Sequence, residues 1–407
     1  MKLFDDLKWR GLIKDITSDD LEQKLNEETL TFYWGTDPSA ESLHLGHLSS
    51  LLTAKRLKDA GHHPILLVGG ATGLIGDPRP SKERQMITKE SLLKNYEGIK
   101  NQITTLFGYE IVNNYDWSKE INFIDFLRDY GKYFNVNYML DKDIIKRRLE
   151  NGITYTEFSY MIMQALDFLY LYENKNCQLQ VEGSDQWGNI TAGVELIRKK
   201  IGKEAYGFTM PLVTDASGNK FGKSEGNALW LDKNKTSSYE LYQFLVNVED
   251  EMVISYLKIF TFLSKDEIEQ LAEDHLKNPH LRHAHRALAQ ELITFIHGTE
   301  EYLKALKISQ SLFSGNFEAL NAQEIKEALK DVPNFKFALN DNVLNVLINN
   351  NICISKREAR EFIANHSITI NNKKIIDENY LITNKDLIGE EILIIRRGKK
   401  KYYLGIK

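Results

Sequence analysis

Two histidines three residues apart, His44 and His47, stand where an apolar run passes through a glycine-containing turn into a helical pattern, in TFYWGTDPSAESLHLGH (residues 31–47). Nitrogen donors beside the positive end of a helix suit a polyphosphate. Far downstream, Lys220, Lys223 and Ser224 lie in DASGNKFGKSEGN (residues 215–227), a glycine-rich stretch expected to be mobile. Two compact cations that can close over a triphosphate would stabilise charge building on a leaving phosphate. Between these segments, residues 154–170 form an apolar helical pattern interrupted by Tyr160, Gln164 and Asp167. At 100° per residue the three fall within about 60° of one direction, a polar stripe that faces either water or a small polar ligand. Thr154 and Glu157 have capping-box spacing at the start of that helix. In QVEGSDQWGN (residues 180–189), Gly183, Ser184, Asp185 and Gln186 occupy a turn from a strand into a helix, where Ser184 or Asp185 could serve as an N-cap.

Those residues need elements to hold them. Residues 29–35, 64–70 and 178–181 read as buried strands, and 48–57 and 185–200 as helices. This alternation implies an α/β fold with a parallel sheet and crossover helices. From about residue 236 helical patterns dominate (239–247, 251–262, 280–297 and 300–311). A looser stretch follows, then a small unit with a helix at 355–365 and strands at 368–370 and 392–395. The expected domains are 1–230 for the parallel-sheet part, 231–318 for the helices, 319–339 as a linker and 340–407 for the terminal α+β unit.

Composition narrows the class. The chain has 407 residues, 42% hydrophobic and 27% charged, which is ordinary for a globular protein of two or three domains. No apolar run approaches the roughly 18 residues that span a bilayer, and acids interrupt the first residues where a secretory signal would be apolar. A cytoplasmic protein is expected. Cys177 and Cys353 form no CxxC pair, so neither a zinc site nor a disulfide framework is indicated, and no metal ligand set is assigned. A net charge of -5 gives no global nucleic-acid signature, yet the tail RRGKKKYYLGIK is basic.

In order, these segments resemble the bacterial-type tyrosyl-tRNA synthetases, within the class I aminoacyl-tRNA synthetases. His44-Leu45-Gly46-His47 is similar to the HIGH-type signature, residues 220–224 to the KMSKS signature in its KFGKS form, and residues 183–186 to the GSDQ element. VGGATGLIGDP, YDW and VNYM match as well, so the resemblance runs from Tyr33 to the C-terminal RRGKKKYYL. It implies a Rossmann-like catalytic domain, an α-helical domain and an S4-like RNA-binding domain. It also implies activation of L-tyrosine with ATP, then transfer to the terminal ribose of tRNA(Tyr). His44, His47, Lys220, Lys223 and Ser224 would act in catalysis. The substrate phenol would sit between Tyr33 and Asp167, and its ammonium near Asp77, Tyr160 and Gln164. Gln186 would approach the carboxyl or phosphoryl oxygens. Gly35, Asp37, Ser39 and Gly46 would meet ATP, with its ribose toward Gly183 and Asp185 and magnesium carried on its phosphates.

Arg396, Arg397, Lys399 and Lys400 would contact RNA phosphates, with Arg198 and Lys199 as acceptor-stem candidates, and the enzyme would be a homodimer. The chain departs from the family at Trp34, where cysteine or a smaller residue is common near the ribose, and at Glu182, where glycine is usual. Lys82 and Arg84 do not keep the family spacing from Asp77 and are left unassigned. Three rivals stay open, the weakest being another adenylate-forming nucleotidyltransferase on the same fold, for which the basic C-terminal unit would have no purpose. Tryptophanyl-tRNA synthetases share both signatures but have no use for the pair Tyr33 and Asp167, and an RNA-binding paralogue without catalysis would be expected to have a damaged signature.

Overall fold

The computed structural model describes residues 1–79, 85–150, 152–224, 227–330, 332–398 and 401–407. Its contacts separate two compact units, Met1–Thr236 with Val248–Leu292, and Ser237–Asn247 with Ile293–Lys407. The division runs through the helical stretch expected at 231–318.

In the first unit the strands are β1 (Asp15–Ile16), β2 (Thr31–Thr36), β3 (His63–Val68), β4 (Glu110–Asn113), β5 (Cys177–Gly183) and β6 (Tyr206–Met210). They form one sheet in the order β1-β6-β5-β2-β3-β4, parallel except for β1 against β6. The principal helices are α1 (Leu45–Asp59), α2 (Thr72–Ile75), α3 (Lys89–Phe107), α4 (Tyr155–Lys175), α5 (Trp187–Ile201) and α6 (Val253–Phe260). The parallel strands and crossovers agree with the α/β expectation. Strands β1, β4 and β6 were not anticipated; β1 is only two residues long and the intermediate burial of β4 blurs its apolar signal.

The chain leaves β2 through α1 to β3 on one side, and leaves β5 through α5 to β6 on the other. Such a reversal opens a crevice at the carboxyl ends of the two neighbouring strands. The β2–β5 ladder ends at Tyr33↔Gln180, although β2 continues beside β3 to Thr36↔Val68 and β5 beside β6 to Gly183↔Met210. Leu67 of β3, Phe168 and Leu169 of α4 and Leu196 of α5 bury the sheet face that carries Tyr33. The helix α4 stops at Asn176, whose φ of 51° ends it in a left-handed cap.

In the second unit, β9 (Asn334–Lys336), β10 (Ile368–Ile370), β11 (Lys373–Lys374), β12 (Ile392–Arg397) and β13 (Lys401–Ile406) form a sheet ordered β11-β10-β12-β13-β9; β7 (Lys223–Ser224) and β8 (Asn227–Ala228) pair separately in the first unit. Helices Val343–Asn349 and Lys356–Ala364 share a core with the five-stranded sheet through Val343, Leu347, Ile363 and Ile395. Residues 319–339, expected as a linker, instead carry the helix Ala322–Ala328 and β9, which pairs in parallel with β13. Buried Ile325 and Phe335 anchor them. Among the described residues no helix is long and apolar enough to cross a membrane.

Candidate functional site

Tyr33 sits where β2 and β5 part, its ring against Phe168 of α4 with centroids 5.4 Å apart. Only 1% of it is exposed, and its hydroxyl has no hydrogen-bond partner among the described residues. Gln180, its register partner on β5, is fully buried, and neither end of its amide has a partner among the described residues. Orphaned buried groups cost about 1–3 kcal/mol each. Two of them on one face of adjacent strands could take the polar group of a ligand. The strand pattern that conceals Gln180 as a core position is why sequence reasoning missed it.

Asp167 of α4 is also buried, and its two oxygens accept from Asn114 Nδ2 (2.9 Å) and Trp117 Nε1 (2.8 Å). Burial pushes its carboxyl up to about 7, against the pull of those two donors. Tyr33, raised first by its own burial, is raised further by the Asp167 charge. From Asp167 a continuous chain of bonds runs outward. Asn114 Nδ2 donates to Thr72 Oγ1 (2.9 Å), Thr72 donates to Asp37 Oδ1 (2.7 Å), and the Tyr160 hydroxyl donates to Asp37 Oδ2 (2.9 Å). Asn114 in turn accepts the Ala71 N–H at 2.7 Å, which ties α2 to the same network. Tyr160 and Asp167 of the polar stripe are therefore turned inward. Thr154 caps α4 as expected, but Glu157 does not complete a capping box: its carboxylate pairs with Arg148 (2.8 Å), both side chains being buried.

A second network holds the turn after β5. Gln186 Nε2 donates to Asp77 Oδ2 (2.9 Å), while Asn189 Nδ2 donates to Gln186 Oε1 (2.8 Å) and Gln164 Oε1 (3.0 Å) and lies 3.4 Å from Asp77 Oδ1. Burial raises the Asp77 carboxyl to about 6, with Gln186 drawing it back and Asp37 adding to the rise. Asn189, one helical turn beyond Gln186, was the detectable signal for this hub. Asp185 and Ser39 are exposed, and a Cβ on Gly183 would fall 2.8 Å from Asp185 Oδ1. Neither Ser184 nor Asp185 caps α5 with its side chain.

At the start of α1, His44 Nδ1 accepts the Gly46 N–H (3.0 Å) and His47 Nδ1 accepts the His44 N–H (3.3 Å), a reciprocal capping box built from histidines. The rings stack with centroids 3.9 Å apart. Burial first, then His44 and Lys220, drive His47 down to about 3, so it is neutral at physiological pH. With Nδ1 accepting a backbone hydrogen, neutral His47 carries its proton on Nε2 and is a donor there. A Cβ on Gly46 would come within 2.8 Å of the His44 ring, so His44 itself already requires glycine.

The lysine segment is anchored rather than freely mobile at its near end. Phe221 is buried against Tyr256 and Phe260 of α6, at centroid distances of 4.3 and 4.9 Å. Backbone bonds Leu45 N to Leu229 O (3.0 Å) and Leu231 N to Leu43 O (2.8 Å) lay residues 229–231 along the first signature. Lys220 is exposed; Lys223 and Ser224 supply the backbone of β7, and their side chains are outside what is described.

The RNA candidates fare differently. Arg198 and Lys199 both pair with Glu195, at 2.7 and 3.1 Å. Arg397 is committed internally, its Nη1 donating to Ile352 O at 2.5 Å, whereas Arg396 is half-buried. Lys399 and Lys400, like Lys82 and Arg84, lie outside the described residues. Exposed Lys356 and Arg357, at the start of helix Lys356–Ala364, are basic positions the sequence reading passed over. Away from the crevice, Asp250, His275 and His285 bring possible metal-ligand atoms within 4.8 Å of one another. Arg282 Nη1 lies 3.2 Å from Asp250 Oδ1 and 3.3 Å from His285 Nε2, so the protein's own cation holds that position.

Comparison with known proteins adds independent findings. Residues 25–314 match the family described as tRNA synthetases class I (W and Y), and residues 324–405 match the tyrosine–tRNA ligase SYY-like C-terminal domain. The chain is 51% identical to the tyrosine–tRNA ligase of Staphylococcus epidermidis strain RP62A, over 99% of this chain and 98% of that one. It is likewise 51% identical to that of Bacillus velezensis, over 99% of both. A solved C-terminally truncated mitochondrial tyrosyl-tRNA synthetase from Aspergillus nidulans is similar with a TM-score of 0.69 and 33% identity, covering 77% of this chain and 94% of that one. A tryptophanyl-tRNA synthetase from Encephalitozoon cuniculi shares the fold at a TM-score of 0.55 and 16% identity, covering 74% and 86%.

Proposed function

The chain belongs to the tyrosine–tRNA ligases of the class I tRNA synthetases, and from that premise we propose how its crevice performs the reaction. The enzyme joins L-tyrosine to ATP as tyrosyl-adenylate, releasing pyrophosphate, and then transfers the tyrosyl group to the terminal ribose of tRNA(Tyr). The observation that carries the amino-acid assignment is the Tyr33 hydroxyl, buried without a partner beside an orphaned Gln180 amide. A substrate phenol placed between Tyr33 and Asp167 supplies the missing bonds, and one lacking the hydroxyl leaves them unmade. The ammonium goes to Asp77, Tyr160 and Gln164, where Asp77 and the neighbouring Asp37 give negative character.

The tyrosine carboxylate attacks the α-phosphorus and pyrophosphate leaves. That nucleophile is already ionised at neutral pH, so no general base is assigned. Gln186, held by Asp77 and Asn189, orients the carboxyl or phosphoryl oxygens. Asp37, Ser39, Gly35 and Gly46 receive ATP, with its ribose toward Gly183 and Asp185. His44 and His47 donate from their ring nitrogens, and Lys220 and Lys223, with Ser224, stabilise the charge that builds on the departing phosphates. Magnesium is proposed to arrive on the ATP phosphates, since the nitrogen donors of the histidines and lysines suit phosphate oxygens and offer a hard cation no oxygen ligand. In the second step the terminal ribose hydroxyl of the RNA attacks the adenylate carbonyl and AMP leaves.

The proposed assembly is a cytoplasmic homodimer. Supporting it, the short elements of residues 123–149 leave Phe123 68%, Ile124 63% and Val136 57% exposed, an expense for an isolated surface. Arg396, Lys399 and Lys400 are proposed as phosphate contacts. The test is amino-acid-dependent exchange of pyrophosphate into ATP with tyrosine, phenylalanine and tryptophan in parallel. Exchange with tyrosine alone is expected; equal exchange with phenylalanine would remove the case for the Tyr33–Asp167 berth.

A further inference from the structure

Glu182 is the buried carboxyl that the mechanism above leaves unused. It is 6% exposed and stands near the end of β5, two residues beyond Gln180 and on the same face of the strand. Where the β2–β5 ladder has ended, its Oε1 accepts the Gly35 N–H at 2.6 Å, standing in for the strand bond that the parting backbones give up. The side chain thus bridges the mouth of the crevice, level with Gly35 on β2.

Its surroundings limit what it can meet. The charged groups that act on it most strongly are Asp185 of the turn after β5, Asp37 of the turn after β2 and Asp77 of the turn after α2, all acids, and it also acts on Tyr33 of β2. A phosphate has no reason to approach such a group; a hydroxyl does. Of the donors that tyrosine and ATP carry, the ammonium and the phenol already have partners in the reading above, and the adenine amine goes with the base, which that reading sets toward Gly46 of the first signature. The ribose hydroxyls have only Gly183 and Asp185, and Asp185 already lies against the Gly183 backbone, where a Cβ would fall 2.8 Å from its Oδ1.

We propose that Glu182 is a nucleotide-contacting residue of this enzyme, its carboxyl group taking a ribose hydroxyl of ATP in the gap between β2 and β5 while the Gly35 N–H fixes its orientation. Burial, with the acids beside it, pushes this carboxyl well above the usual range, which spares the adenylate phosphate a nearby fixed charge. The inference rests on the assignment of the crevice to tyrosine and ATP. It makes Glu182 a determinant of sugar selectivity.

The experiment is tyrosine-dependent pyrophosphate exchange with ATP, 2′-deoxy-ATP and 3′-deoxy-ATP, on the wild type and on Glu182→Ala, Glu182→Met and Glu182→Gln. The wild type should prefer ATP to at least one deoxynucleotide by about ten-fold, the worth of one hydrogen bond to a buried polar group. In Glu182→Ala and in the volume-conserving Glu182→Met that preference should shrink to about two-fold, with KM for tyrosine unchanged. Glu182→Gln, which keeps an oxygen for both bonds, should recover part of it. An unchanged preference in whichever of the apolar variants folds, or equal use of all three nucleotides by the wild type, overturns the proposal. Absence of any tyrosine-dependent exchange by the wild type overturns the reading of the crevice itself, a different and distinguishable result.

Discussion

Tyr33 is a residue kept at a cost to the fold. Its hydroxyl is desolvated and unbonded, so Tyr33→Phe should raise the melting temperature of the ligand-free enzyme, in keeping with about 1 kcal/mol regained. The same change should lower kcat/KM for tyrosine roughly 2- to 10-fold. A variant that melts lower and activates tyrosine normally would show that the phenol belongs to the core alone. Asp167 carries a related cost with a pH signature. Its folded carboxyl titrates at about 7 against an ordinary 3.8, so between those values the folded state holds more protons than the unfolded one. Stability then falls as pH rises through that window, and Asp77, raised to about 6, contributes with the same sign. The ligand-free melting temperature should therefore decline between about pH 5 and 7, and Asp167→Asn should flatten the decline; a slope unaltered in that variant would locate the effect elsewhere. Asp167 was legible as a polar group in an apolar helix, and Tyr33 only through the family resemblance. Thr72, Asn114 and Gln180 were not, because a buried polar side chain announces itself only through partners, or the lack of them, that come from distant parts of the chain.

Elements decide whether the two signatures act together. Gly222 has φ +82°, and a Cβ there would stand 2.6 Å from the Cβ of Leu45, inside the first signature. Gly222→Ala therefore forces residues 220–224 away from α1 as well as straining the backbone. We expect kcat for adenylate formation to fall at least about ten-fold, a loss of 1.4 kcal/mol or more, with KM for tyrosine held because the phenol berth is built from other elements; pre-steady-state formation of the adenylate separates the two. A proportional rise in tyrosine KM would contradict this division of labour. Strand and helix periodicity had placed β2, β3, β5, α1 and α5 in the sequence to within a few residues. The docking of residues 229–231 along residues 43–45 was invisible there, since backbone pairing across that separation leaves no periodic mark, and three glycines in residues 215–227 read as freedom when one of them is required by contact.

At the scale of the whole molecule, the terminal unit was legible as a small basic α+β body, but its boundary was not. Residues 319–339 look polar and loose in sequence, yet β9 completes the five-stranded sheet by pairing with β13, the last strand of the chain. Basic charge in the same unit also divides between structure and surface in a way that composition hides. Arg397 gives its guanidinium to Ile352 O and lies 3.9 Å from Glu358, so its first duty is internal. Lys356 and Arg357 are exposed on the helix that begins four residues after Ile352, and a polyanion can reach them. Replacing both with alanine should weaken tRNA binding across sequences and reduce the slope of log affinity against log salt by about 1.5 to 2, the share of two phosphate contacts. Tyrosine-dependent exchange, which needs no RNA, should stay at its wild-type rate. Arg397→Ala should instead lower the melting temperature, with a smaller change in the salt slope. If the two surface substitutions leave the slope untouched while Arg397→Ala reduces it, the internal bond to Ile352 gives way when RNA binds, and the basic face of this unit lies on β12 rather than on the helix.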